Sequence, residues 1–243
     1  MSRNAYLKAM DIDVWVERNP QAKNLDVSKN DVTTEEDLES TSNTMVEPKI
    51  QSSDISTETI TTKTDKVNIE SLDWASLQKQ VSDCHLCELS KQRTHINFGV
   101  GNQSAVLMII ADDSNEQSSK LLTSMLKAMG YQRSDTYIIN ITKCQTLENK
   151  DPSQEQAESC EPYLLRQISL VQPKLILTLG NFSAQQVLKS KSTMNRLRGQ
   201  LHYIDGINAP ILVSYHPTYL LAAPNEKRKA WEDLQLAMAE LAK

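Results

Sequence analysis

The sequence is short of several things, and each shortage narrows the field. Its 243 residues contain no run of about 18 apolar side chains, so no membrane-spanning helix is expected. The N-terminal end lacks the apolar core of a secretion signal, and a cytoplasmic protein is the expectation. Only 4 cysteines are present. In a reducing compartment they read as ligands or buried thiols rather than disulfides. Charge of one sign is also scarce once the chain is divided. The net charge is −5, but residues 20–70 hold 11 acidic and 5 basic side chains, which leaves the remainder near +1. Global acidity therefore does not exclude nucleic acid, and near-neutrality does not indicate it.

Residues 20–70 lack glycine and aromatic side chains altogether and show no sustained hydrophobic period. They read as a disordered linker, with a random-coil span on the order of 40 Å. Residues 1–19 are richer in apolar weight: Tyr6, Leu7 and Met10 fall at helical spacing, and Ile12, Val14, Trp15 and Val16 continue the run. So short a segment is marginal by itself. It reads either as an arm docked on its own domain or as a peptide that folds against a partner protein.

From about residue 71 to 243 the pattern is that of a folded domain. Leu72, Trp74, Ala75, Leu77 and Val81 lie at helical offsets, and that helix delivers Cys84 and Cys87. Gly99 and Gly101 follow, then a wholly apolar strand at 105–111 and a helix from Ser118 that stops at Gly130. A strand over Tyr137–Lys143, a helix over Ser153–Val171, a strand over 174–180 and a helix over Ser183–Leu188 come next. Two strands (201–205 and 210–215) and a closing helix over about 225–242 complete the chain. Alternating strands and helices predict an α/β, three-layer fold with a central, mostly parallel sheet. Ligands of such sheets sit beyond the carboxyl ends of the strands, where Asp112, Asn140 and His216 fall.

The cysteines read C-x2-C at Cys84 and Cys87, a long gap, then Cys144 and Cys160. Zinc ribbons present two close pairs. The wider spacing here favours an iron–sulfur cluster, whose corners lie farther apart than the ligand positions of one ion. Zinc and plain buried thiols stay open at this point.

Several segments together resemble the iron–sulfur (family 4) uracil-DNA glycosylases: Cys84-x2-Cys87, Phe98-Gly99-x-Gly101, Tyr137 to Asn140, Lys143-Cys144, Glu155 to Cys160, Pro173 to Gly180, Arg198-Gly199 and His216-Pro217. The resemblance covers about residues 72–243. It implies a [4Fe–4S] cluster on Cys84, Cys87, Cys144 and Cys160. It also implies a pocket in which Asn140 reads the uracil edge, His216 stabilises the departing base and the Asp112 carboxylate stands at the family's water-positioning place. Two departures stand out. The stretch Ala111 to Gln117 is about a dozen residues shorter than the family's loop and lacks its stacking aromatic, and Gln145 to Lys150 lacks two arginines and the prolines.

A second resemblance covers the arm alone. Arg3, Asn4, Tyr6, Leu7, Met10 to Trp15, Arg18 and Pro20 are similar to the N-terminal peptide of the psi subunit of the bacterial DNA polymerase III clamp-loader complex. That resemblance implies docking of Tyr6, Leu7, Met10, Ile12 and Trp15 on the clamp-loader ATPase subunits, and a folded domain that binds the chi subunit. Combined with the shortened loop, it makes a replication accessory on a catalytically eroded glycosylase fold the leading expectation. The alternative is an active, divergent uracil-DNA glycosylase of base-excision repair. A third reading is a DNA-binding module that uses the cluster as a redox sensor.

Overall fold

A computed structural model of the chain describes residues 68–111, 115–145 and 152–243. The N-terminal arm with Tyr6, Leu7, Met10, Ile12 and Trp15, the linker and Asp112 all lie outside the described residues.

In chain order the helices are α1 (Trp74–Ser82), α2 (Leu89–Gln92), α3 (Glu116–Met129), α4 (Gln154–Val171), α5 (Asn181–Leu188), α6 (Met194–Leu197), α7 (Pro217–Ala222) and α8 (Lys227–Leu241). The strands are β1 (His95–Ile96), β2 (Val100–Gly101), β3 (Leu107–Ile110), β4 (Thr136–Ile139), β5 (Cys144–Gln145), β6 (Leu175–Leu179), β7 (Leu201–Ile204) and β8 (Ile207–Ser214). Six strands form one sheet in the order β2-β4-β3-β6-β8-β7. The four central strands run parallel, and the edge strands β2 and β7 are antiparallel to their neighbours.

The apolar runs are long enough to be buried on both faces, and their alternation divides them between two cores. Leu107, Ile109, Leu175, Leu177 and Leu212 face a core with Leu122, Met125 and Leu126 of α3 and Trp231 and Leu234 of α8. Met108, Ile110, Ile139, Ile176 and Ile211 face the other side, against Leu164 and Ile168 of α4 and Val187 of α5. The period of two along each strand thus produces the three layers.

Helix starts follow side-chain chemistry. Asp73 caps α1 and Asn115 caps α3, each accepting at 2.8 Å from the backbone N–H three residues on. Ser153 and Gln156 form a reciprocal capping box at α4. Gly130 ends α3 in the left-handed region, at φ 88°. Gly101, at φ 116°, lies so close to β4 that a Cβ there would overlap the Thr136 carbonyl oxygen, and the edge strand seats only with glycine at this position.

Several expected boundaries move, two of them beside the pocket. The strand expected over Tyr137–Lys143 stops at Ile139, and after a short turn Cys144–Gln145 pairs with His95–Ile96 in a separate two-stranded sheet. The chain turns at Asn140 because its next residues serve two sites rather than the ladder. The helix expected from Ser183 begins two residues earlier, at Asn181. Among the described residues, no helix is long and apolar enough to cross a membrane.

Candidate active site

The carboxyl ends of β4, β6 and β8 open onto a pocket of about 600 Å³. Its walls include Asn140, Gly180, Phe182, His216 and Tyr219. Asn140 is the first residue after β4, and His216 stands two residues beyond β8. Parallel strands bring these distant positions to one rim. Gly180 ends β6 at φ 99°, and a Cβ added there would stand 3.3 Å from the His216 Cβ. The bare backbone therefore lets the histidine seat against the strand end.

His216 is the N-cap of α7, with Pro217 as the first helical residue. Its Nδ1 accepts from the Thr218 backbone N–H at 3.2 Å. An accepting Nδ1 carries no proton, so in the neutral ring the proton sits on Nε2, which is left as a donor. Phe182, in the first turn of α5, and Tyr219, 47% exposed, add aromatic surface to the walls. Tyr219 stacks on Tyr215 with ring centroids 5.1 Å apart and planes 27° apart. The Arg198 guanidinium lies 5.5 Å from the Tyr215 ring centroid. Arg198 is itself held by Asp233, through Nε to Oδ2 at 3.1 Å and Nη2 to Oδ1 at 2.8 Å. Ser214 Oγ donates to the same carboxylate at 2.7 Å. Burial pushes the Asp233 carboxyl up, and Ser214 and Arg198 draw it back down. One wall of the pocket is thereby anchored to a buried ion pair.

The four cysteines come from the end of α1, the start of α2, β5 and α4. Cys84, Cys144 and Cys160 are buried and Cys87 is partly so. Burial pushes the Cys144 thiol up, against Arg93, and Cys84 and Cys87 are near enough to raise it further. Burial likewise pushes Cys160 up to about 11, with Lys143 opposing and Cys87 and Cys144 adding to the rise. The four sulfurs therefore share one neighbourhood. Among the described residues no three His, Cys, Asp or Glu side chains are grouped to hold a metal ion.

Whether the surroundings suit a cluster is tested by two cations. Lys143 is 1% exposed, and its Nζ donates to the Asn140 carbonyl at 2.8 Å. Burial pushes the ammonium down to about 7, and Cys160 opposes that shift. Arg93 donates to Cys144 Sγ at 3.8 Å, to the Cys84 carbonyl at 3.2 Å and to the Ser82 carbonyl at 2.6 Å. Among the described residues neither cation meets a carboxylate within ion-pair distance. A buried cation without a counter-charge costs several kcal/mol, on the order given for ions taken out of water. Ligating thiolates supply that counter-charge, so the donor set and its surroundings fit the group.

Sequence reasoning named Asn140, His216 and the cysteines; Asn140 and His216 line one pocket, Cys84, Cys144 and Cys160 are buried, and Asp112 lies outside the described residues. That reasoning missed Phe182, Tyr219, Lys143 and Arg93 as neighbours of these sites. Phe182 was hidden by the late helix start expected at Ser183, although Gly180 at the end of an apolar strand was a visible signal of a tight turn into the rim.

Comparison with known proteins places this geometry in a family. Residues 90–235 match the uracil DNA glycosylase superfamily, and the chain belongs to it. Its relatives include the type-4 uracil-DNA glycosylase of Archaeoglobus fulgidus, 30% identical over 184 residues, which span 69% of this chain and 92% of that protein. The type-4 enzyme of Sulfurisphaera tokodaii is 30% identical over 177 residues, 65% of this chain and 80% of its own. That of Thermotoga maritima is 28% identical over 182 residues, 69% and 94%. These findings overturn the leading expectation from the sequence. A psi-like accessory bridging clamp loader and chi has no support in them, and relatives matched over most of their length are named as glycosylases. That expectation rested on the arm motif together with the shortened loop; the pocket nonetheless carries aromatic surface from α5 and α7.

Proposed function

We propose that this protein is a uracil-DNA glycosylase of DNA repair. It would cleave the bond between uracil N1 and deoxyribose C1′ to give free uracil and an abasic site. The observation that carries the reading is the convergence of Asn140 and His216 in one pocket, with the histidine tautomer fixed by Thr218.

The chemistry asks for few groups. As the glycosidic bond breaks, its electron pair leaves with the base, and negative charge grows on the uracil oxygens. His216 Nε2–H is the donor for that charge, of the kind that acts more strongly in the transition state than in the ground state. The Asn140 carboxamide accepts from uracil N3–H and donates to O4. Cytosine presents the reverse pattern and leaves both amide groups unpaired. Water adds its hydroxyl to C1′ and gives up a proton. Asp112 is proposed as the carboxylate that orients this water, on the strength of the sequence resemblance.

Extrusion of the base costs a few kcal/mol. Stacking on an aromatic side chain returns about 1–3 kcal/mol, and Phe182 and Tyr219 are in place to provide it. Cys84, Cys87, Cys144 and Cys160 would hold a [4Fe–4S] cluster. When bound, it supplies a cross-link between the α1–α2 connection, β5 and α4. The folded domain proposed for this activity is residues 71–243, with DNA as its partner. Uracil release from a uracil-containing oligonucleotide, with Asn140→Ala as control, tests the reading. Release that vanishes in the variant supports it, and release unaffected by Asn140→Ala removes Asn140 from the site.

A further inference from the structure

Lys143 stands between the pocket and the thiols. Its ammonium reaches back three residues to the Asn140 carbonyl, at 2.8 Å. Its own carbonyl accepts from the Asn97 N–H at 2.8 Å, which ties the turn to the residue just after β1. Cys144 is the next residue in the chain. The last paired residue of β4 is Ile139, opposite Ile110, so Asn140 stands one step beyond the point where ladder hydrogen bonds direct the chain. Capturing its carbonyl restricts ψ at Asn140, and backbone angles decide which side-chain rotamers are open.

We propose that Lys143 is a positioning residue for Asn140: its buried Nζ pins the Asn140 carbonyl, aims the carboxamide into the pocket and thereby supports base selection. The base-selection part rests on the glycosylase reading. A lysine that only filled space beneath the turn would be replaceable by any side chain of equal volume. A lysine that positions Asn140 is replaceable only by another donor.

The test uses the full chain with its cluster reconstituted under anaerobic conditions, cluster content being followed by visible absorbance. Lys143→Met keeps the volume and removes the donor; Lys143→Arg keeps a donor. Binding is measured to an oligonucleotide carrying non-cleavable 2′-fluoro-2′-deoxyuridine and to one carrying cytosine. At equal cluster content, Lys143→Met is expected to lose about tenfold of the preference for uracil, of the order of one good hydrogen bond, and Lys143→Arg to recover most of it. In the Asn140→Ala background the Met substitution is expected to cost nothing more, the signature of coupled residues. An unchanged preference in Lys143→Met, or losses that add in the double variant, overturns the proposal. If the wild type itself shows no preference for uracil, the glycosylase reading fails instead. Crystal structures of wild type and Lys143→Met then decide the positioning role: a carboxamide turned out of the pocket upholds it, and one left in place refutes it.

Discussion

Asp233 and Lys143 are both buried, yet their surroundings differ in completeness. Asp233 has a bidentate arginine and a serine hydroxyl within 3.1 Å. Lys143 has one carbonyl and the Cys160 thiol. The first arrangement is closed by the protein's own charges. The second closes when that thiol ionises, as metal ligands do. A buried charge that the polypeptide satisfies marks a structural lock, here under the Tyr215–Tyr219 wall. A buried charge that it leaves half satisfied marks a place prepared for something else.

That contrast can be broken in three ways, in falling order of effect. Asp233→Ala leaves Arg198, with its side chain 15% exposed, with only the half-exposed Glu232 carboxylate at 3.9 Å as counter-charge. The expected cost is about 3–5 kcal/mol, read as a lower denaturant midpoint at unchanged slope. A loss below about 1 kcal/mol would mean the pair is no lock. Cys160→Ser should abolish the visible absorbance of reconstituted protein and strand the Lys143 ammonium. Adding Lys143→Met should then restore about 1–4 kcal/mol, as apolar replacement of an uncompensated buried charge does. Equal stabilisation by Lys143→Met in the cluster-loaded wild type would erase the difference between the two sites. Ser214→Ala removes only one of the donors to Asp233, and the expected loss is about 1–2 kcal/mol. A calorimetric comparison with Asp233→Ala would show whether the serine or the arginine dominates.

The fold was largely legible because its strands are unbroken apolar runs and its helices carry Asp, Asn and Ser caps at their starts. Polar positions were harder to read. Tyr137 to Lys143 reads as one strand, yet Asn140 and Lys143 turn the chain from pocket to thiols. The burial of Lys143 was not legible, since no pattern in a polar segment announces a buried ammonium. The six-residue helix after His216 is too short for a hydrophobic period, although Pro217 marked its first turn. Asn140 and His216 were legible from their places at the carboxyl ends of strands and the cysteines from their spacing, while their proposed roles came from resemblance to a family. The same route led through the arm motif and the shortened loop to the accessory reading, which the relatives named as glycosylases overturn.

The central claim is base excision through His216. Its most direct measurement is uracil release by the cluster-loaded full chain on a uracil-containing oligonucleotide, beside His216→Ala. The account predicts multiple turnovers by the wild type and a loss of about 100-fold or more in the variant, the scale of removing a transition-state donor. No release by wild-type protein whose visible absorbance shows an intact cluster, or equal release by both proteins, would contradict it.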